Sequence, residues 1–96
     1  MTFKKLYKII EERKNTMPKN SHVASLFTDG KDRILQKVGE EAIEVVLAAK
    51  GKSKKRTIEE MADLWFHCLV LLKELNIKPS DIFAELGSRH RKQKKI

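Results

Sequence analysis

Between Met61 and Leu72 the chain holds only two polar side chains, Asp63 and His67. Apolar positions recur there at helical spacing, and a helix that is apolar almost all round has to be buried on nearly every side. A chain of 96 residues is one domain, and a domain of that size buries only about 60 to 65% of its unfolded surface. Too few other elements remain to surround such a helix. The sequence therefore predicts an all-α helical bundle completed by homo-oligomerisation. No membrane is implied, because the longest unbroken apolar runs, Val45 to Ala49 and Cys68 to Leu72, are five residues against the roughly 20 that cross a bilayer. Lys4, Lys5 and Lys8 interrupt the apolar residues of Met1 to Ile10, unlike a secretory leader. Cys68 is the sole cysteine, too few for an internal disulfide or a structural zinc site. A reducing, cytoplasmic location is expected.

The rest of the chain is helical in period, with no competing strand pattern. Phe3, Leu6, Tyr7 and Ile10 form one helical stripe behind Thr2, which is placed to cap it. Asn15 to Asn20, with Pro18, ends that helix, and one or two helical turns follow over Val23 to Phe27 before the turn at Asp29-Gly30. From Lys31 to about Ala49 apolar residues return every three or four positions, which predicts a long helix. Thr57-Ile58-Glu59-Glu60 has the form of a capping box, so the next helix is expected to begin near Ile58 and to reach about Leu75. Ser80 is placed to cap a last helix with Ile82, Phe83 and Leu86 on its inner face. The two long helices are expected to form a central antiparallel pair. Residues 1–90 read as one domain and 91–96 as a basic tail.

The acidic residues of the long helices are not spread as on a solvated face. On a helical wheel Lys37, Glu40, Glu41 and Glu44 share an arc of about 100°, bordered by Ile34 and Val45 on one side and Leu47 on the other. Glu60, Asp63 and His67 share a stripe of the next helix, which continues into Leu64 and Leu71. A hairpin centred near residues 53 and 54 puts Glu44 and Asp63 at one level, with Glu41 and Glu60 about 4.5 Å of rise away. Four carboxylates then converge. Such crowding raises their pKa values and costs stability unless a cation occupies the site. Mg²⁺ suits it, as a hard ion that takes oxygen ligands and shares its coordination with substrate phosphates. Glu41 also has the i, i+4 spacing of an ion-pair partner for Lys37. His67, one turn after Asp63, fits either a group packed behind a metal site or a core histidine. Trp65, Phe66 and Met61 read as core, and Cys68 as a small buried hydrophobe.

Glu40-Glu41-x-x-Glu44, fifteen residues, then Glu60-x-x-Asp63 resembles the metal-binding signature of the MazG-like all-α nucleotide pyrophosphohydrolases. The segments Ser21 to Phe27, Gly30 to Ala42 and Ala62 to Leu72 narrow this, and the chain from about Leu6 to His90 is similar to the phosphoribosyl-ATP pyrophosphohydrolase family of histidine biosynthesis. That resemblance implies Mg²⁺-dependent cleavage between the α- and β-phosphates of phosphoribosyl-ATP, giving phosphoribosyl-AMP and pyrophosphate, by a homodimer of helical chains. It also implies that Glu41, Glu44, Glu60 and Asp63 hold metal and that Glu40 orients or deprotonates the attacking water. Arg33 and Lys37 would face phosphate oxygens, and Lys37 would stabilise the charge developing on them. His22 and Val23 depart from the family pattern, which has an aromatic residue and a threonine after the serine.

The net charge of +8 on its own would suggest a polyanionic partner. Five positive charges lie in residues 50–58 and five in residues 89–96, while residues 59–88 carry a net −4. A nucleic-acid-binding module would account for the basic segments. It would not account for clustered carboxylates, which repel a phosphate backbone, or for the presence of only one Trp and one Tyr for stacking on bases. A nearer alternative is a housecleaning enzyme that acts on non-standard nucleoside triphosphates with the same metal site. Lys50 to Arg56 reads as a solvated loop, with a substrate-gathering role as the alternative.

Overall fold

The computed structural model describes residues 1–92 and 96. Five helices follow one another: α1 (Phe3–Thr16), α2 (His22–Asp29), α3 (Lys31–Lys50), α4 (Lys54–Glu74) and α5 (Pro79–Arg91). No strand occurs among the described residues. Among the described residues no helix is long and apolar enough to cross a membrane.

Local chemistry accounts for the boundaries. Thr2 Oγ1 accepts the Lys5 N–H at 3.1 Å and caps α1 as its sequence predicts. α1 stops at Met17, whose φ of 47° lies in the left-handed region. Ser21 Oγ accepts the Ala24 N–H at 3.2 Å and opens α2. Gly30 then serves two helices: its N–H bonds Leu26 O at 3.2 Å to close α2, and its carbonyl accepts the Ile34 N–H at 3.1 Å to open α3. Its φ of 97° with ψ of 176° is open only to glycine at low cost. That one residue sets the sharp bend between the two helices.

Two helix starts differ from the sequence reading. α4 begins at Lys54, a turn before the expected Ile58, because Ser53 Oγ takes the Arg56 N–H at 3.2 Å. Thr57 lies inside the helix, where its hydroxyl donates to Ser53 O at 2.8 Å. The connection is only Gly51 to Ser53, so Lys54, Lys55 and Arg56 are helical residues, not loop. α5 begins at Pro79, a residue suited to the first helical position because it has no N–H to satisfy. Ahead of it the Lys78 N–H is taken by Asp81 Oδ2 at 2.9 Å, so Ser80 is not the cap. α5 also reaches Arg91; of the expected basic tail, residues 93–95 lie outside the described residues.

α3 and α4 pack along one another as the central antiparallel pair, and α1 and α2 close over it. The core draws Ile10 from α1, Leu26 from α2, Ile34 from α3, and Leu69 and Val70 from α4. Ile10, Ile34 and Val70 are completely buried. Lys73 binds Glu11 at 2.8 Å and Lys14 pairs with Glu74 at 3.6 Å, tying α1 to the end of α4. Hydrogen bonding from Lys73 holds the Glu11 carboxyl below its ordinary pKa and raises that of Lys73.

α5 contributes no buried residue. Ile82 and Phe83, expected on an inner face, are about half exposed. α5 leans on α1, where Phe83 lies 5.9 Å from the Phe3 ring, while the Tyr7 hydroxyl donates to Ile77 O at 3.0 Å just before it. Trp65, expected in the core, is 50% exposed, and Ile58 is 62% exposed on the same helix. Trp65 stands edge-on to Phe3 of α1, at 5.1 Å between centroids. Met61, Phe66 and Cys68 are half-buried, and the Cys68 thiol is pushed up in pKa by its burial.

Candidate active site

The early start of α4 decides which carboxylates meet. With Gly51 to Ser53 as the turn, Glu41 and Asp63 are each eleven residues from its centre at Lys52, so they face one another by count. Oxygens of Glu41, Glu60 and Asp63 lie within 4.8 Å of one another. Glu44, expected level with Asp63, is not in this tight trio, which follows from the shifted hairpin centre. It remains close enough for its charge to act on the group. The Glu60 pKa is raised, first by loss of water around the carboxyl and then by the charges of Asp63, Glu41 and Glu44, against a small opposing pull from Arg56.

Cations of the chain border this acidic patch. Lys37 Nζ is 3.2 Å from Glu41 Oε1 and 3.8 Å from Glu40 Oε1, so the i, i+4 pairing open to Glu41 does form. Glu40 is exposed and also takes the Gln36 amide at 3.1 Å. Arg33 stands exposed one turn before Lys37, with no ion pair among the described residues. Arg56 reaches Glu60 at 3.6 Å. Placing Arg56 in a loop hid this contact, although the Arg56-x-x-x-Glu60 spacing signals it.

Behind Asp63 the helix turns His67 into the interior. The ring is 5% exposed, and its Nδ1 lies 2.8 Å from the Asp63 carbonyl oxygen. A carbonyl only accepts, so Nδ1 carries hydrogen and donates. Nε2 is then buried with no hydrogen-bond partner among the described residues. His67 is thus a core residue, and its ring bonds the main chain of Asp63, not its carboxylate. Phe66 stands edge-on to it at 4.9 Å, and His22, the first residue of α2, stands edge-on at 6.3 Å while stacking on Phe66 at 5.9 Å. The sequence leaves His22 without a role and puts Phe66 in the core. Only the fold of α2 against α4 joins these rings.

Carboxylates from two facing helices, with ionisation of Glu60 disfavoured, suit a hard divalent cation. Next to them Lys37 and Arg33 offer positive charge to an anionic substrate. Known proteins are similar to this chain over most of its length. A family model described as phosphoribosyl-ATP pyrophosphohydrolase matches residues 3–90. The phosphoribosyl-ATP pyrophosphatase of Methylococcus capsulatus is 49% identical over 85 residues, 88% of this chain and 81% of its own length. That of Bacillus cereus is 44% identical over 94 residues, 98% of this chain and 88% of its own. That of Geobacter sulfurreducens is 49% identical over 84 residues, 88% and 78% of the two chains. A match over nearly every helix, together with a bundle of the expected class, assigns this chain to the phosphoribosyl-ATP pyrophosphohydrolase family.

Proposed function

We propose that the protein hydrolyses phosphoribosyl-ATP to phosphoribosyl-AMP and pyrophosphate in histidine biosynthesis, with Mg²⁺ held by Glu41, Glu44, Glu60 and Asp63. Membership of the family supports the reaction. The observation that carries the site is the meeting of Glu41, Glu60 and Asp63 oxygens within 4.8 Å across the α3–α4 pair. When bound, Mg²⁺ polarises phosphate oxygens and offsets the charge of the leaving pyrophosphate.

The remaining work falls to side chains. Glu40 is solvent-exposed beside the cluster, where it accepts a proton from the water that adds to phosphorus as the α–β anhydride bond breaks. Lys37, which pairs with Glu40 and Glu41, would turn its ammonium to the phosphate oxygens of a bound substrate if Glu41 held the metal. Arg33, one turn away and unpaired among the described residues, binds the outer phosphates. No covalent nucleophile is required.

Residues 1–90 act as one catalytic domain, with 91–96 as a basic tail, in a cytoplasmic homodimer that covers the side of α4 bearing Ile58 and Trp65. Their exposure, 62% and 50%, supports such a partner. Pyrophosphate release, measured with phosphoribosyl-ATP and with a panel of nucleoside triphosphates with and without Mg²⁺, tests the proposal. Mg²⁺-dependent turnover of phosphoribosyl-ATP alone is expected. Turnover restricted to the triphosphates would replace this reading with a housecleaning activity.

A further inference from the structure

His67 presents a polar atom for which the fold provides no use. Its Nδ1 is committed as a donor to the Asp63 carbonyl at 2.8 Å, which leaves Nε2 as an acceptor with a lone pair. Among the described residues that atom is buried and unpartnered, a state that costs stability in a protein interior. The His67 ring stands edge-on to Phe66 and to His22. Phe66 is half-buried in α4, whereas His22 is exposed at the start of α2, and no hydrogen bond holds its ring among the described residues. An exposed ring of this kind changes rotamer within nanoseconds. Its departure frees the face of Phe66 on which it now stacks, at 5.9 Å and 21°.

Position ties this aromatic corner to the carboxylates. His67 is one turn after Asp63 on the same stripe of α4, about 6 Å along the helix axis. The ribose and α-phosphate of a nucleotide bridge a gap of that size. A planar base therefore meets the aromatic corner when its phosphates lie against the acidic cluster.

We propose that this corner is the base subsite of the active centre: the substrate's adenine replaces the His22 ring on Phe66, and the N–H of its C6 nitrogen donates to His67 Nε2. The proposal rests on the reading of the protein as a phosphoribosyl-ATP pyrophosphohydrolase. Specificity follows from the fixed tautomer. A base with nitrogen at C6 supplies the donor that Nε2 lacks, while a 6-oxo purine sets an oxygen lone pair against the nitrogen lone pair. Binding of the correct base relieves an unsatisfied acceptor, and the wrong base leaves it unsatisfied and adds repulsion.

Two measurements test this. In the first, the ring nitrogens of ¹⁵N-histidine-labelled wild-type protein are followed by NMR while AMP or IMP is added in the presence of Mg²⁺. AMP is expected to move the His67 Nε2 resonance at concentrations about tenfold below those at which IMP does. Equal responses to the two nucleotides, or no response to AMP, would overturn the subsite. In the second, His67→Asn keeps a donor for the Asp63 carbonyl but lacks the Nε2 acceptor, and His67→Gln restores a polar atom near Nε2. His67→Asn is expected to raise KM for phosphoribosyl-ATP about tenfold with kcat little changed, and His67→Gln to recover part of that loss. A fall in kcat alone, or no change in KM, would show His67 to be a support for Asp63 only. If wild-type protein does not hydrolyse phosphoribosyl-ATP, the functional assignment fails. The NMR comparison still decides the base subsite on its own.

Discussion

The α3–α4 pair has two surfaces that are unfavourable in an isolated chain for opposite reasons. On one, Glu41, Glu60 and Asp63 crowd their oxygens within 4.8 Å, and loss of water followed by this crowding raises the Glu60 pKa. On the other, Ile58 and Trp65 of α4 stand half or more exposed, as do Ile43, Val46 and Leu47 of α3. The first surface has too much charge and the second too little. A cation relieves one, and a second protein surface relieves the other. Both departures fall on the same two helices, while the packed interior from Ile10 through Ile34 to Val70 is conventional. The comparison teaches that this fold gives up stability on the two faces proposed for ligand and partner, and it can be broken from either side.

The largest effect is expected on the charged surface. Asp63→Asn and Glu44→Gln each keep side-chain volume and remove one charge. Because loss of a group that merely supports a metal ligand costs about 10- to 100-fold in activity, loss of a ligand carboxylate is expected to lower kcat by more than about 100-fold. The metal-free variants should melt at or above the wild-type temperature, since repulsion falls. Steady-state kinetics alongside thermal unfolding check both halves. A variant that keeps near-normal turnover would mark the cluster as a solvated feature.

Next comes the apolar surface. Wild-type protein at micromolar concentration is expected to scatter light as a dimer of the 11.1 kDa chain. Ile58→Glu, at a site 62% exposed in the single chain, should leave each protomer folded yet shift the mass toward the monomer. A well-folded wild-type monomer would sink the argument that a second copy completes the bundle.

These two surfaces were unequally legible in the sequence. The apolar run Met61 to Leu72 announced a helix with more hydrophobic area than one chain covers, and half-exposed Trp65 is the visible remainder. Helical period also identified the acidic stripes, because i, i+3 and i+4 spacings depend on local geometry alone. Pairing between the stripes was harder, since it depends on turn length. Ser53 won the capping position from Thr57, which moved the hairpin centre and put Glu41, not Glu44, in the tight group. The aromatic corner was not legible at all: His22 and Phe66 are 44 positions apart, and only the docking of α2 on α4 joins them.

A pH experiment sharpens the charged side. Glu60 has its pKa raised above the ordinary 4.5 in the folded metal-free chain. Well below 4.5 it is protonated in folded and unfolded states alike, and nothing is lost. Above the folded value it is charged in both, and only the fold bears the crowding. Stability of the metal-free protein should therefore decline as pH rises from about 4.5 through the raised value. Glu60→Gln should flatten that decline, and Mg²⁺ should reverse it. Glu11 works in the opposite sense, because its lowered pKa makes its pairing with Lys73 a contribution that fades only as pH falls below 4.5. Melting temperatures across this range in wild type, Glu60→Gln and Lys73→Met separate the two. An unchanged profile in Glu60→Gln would remove the crowding argument.

The smallest effect concerns how positive charge is divided between chemistry and attraction. Lys37 touches Glu40 and Glu41 within the cluster, so its ammonium is within reach of any phosphate bound there. Lys52, Lys54 and Lys55 are exposed at the turn and the first turn of α4, and no acidic residue accompanies them in that first turn. Positive charge at a helix N-terminus opposes the helix dipole, a local cost offset if the cluster gathers anions. Charges so exposed act over a distance, and at 0.15 M salt they are screened beyond about 8 Å. Lys37→Met is therefore expected to lower kcat, because stabilisation of the developing phosphate charge is lost. Neutralising Lys52, Lys54 and Lys55 together should raise KM a few fold at low salt, leave kcat unchanged and lose its effect as salt rises. Steady-state kinetics at two ionic strengths separate the roles. A salt-independent loss of kcat in the triple variant would move those lysines into the active site, and the charged surface would then extend over the end of the hairpin.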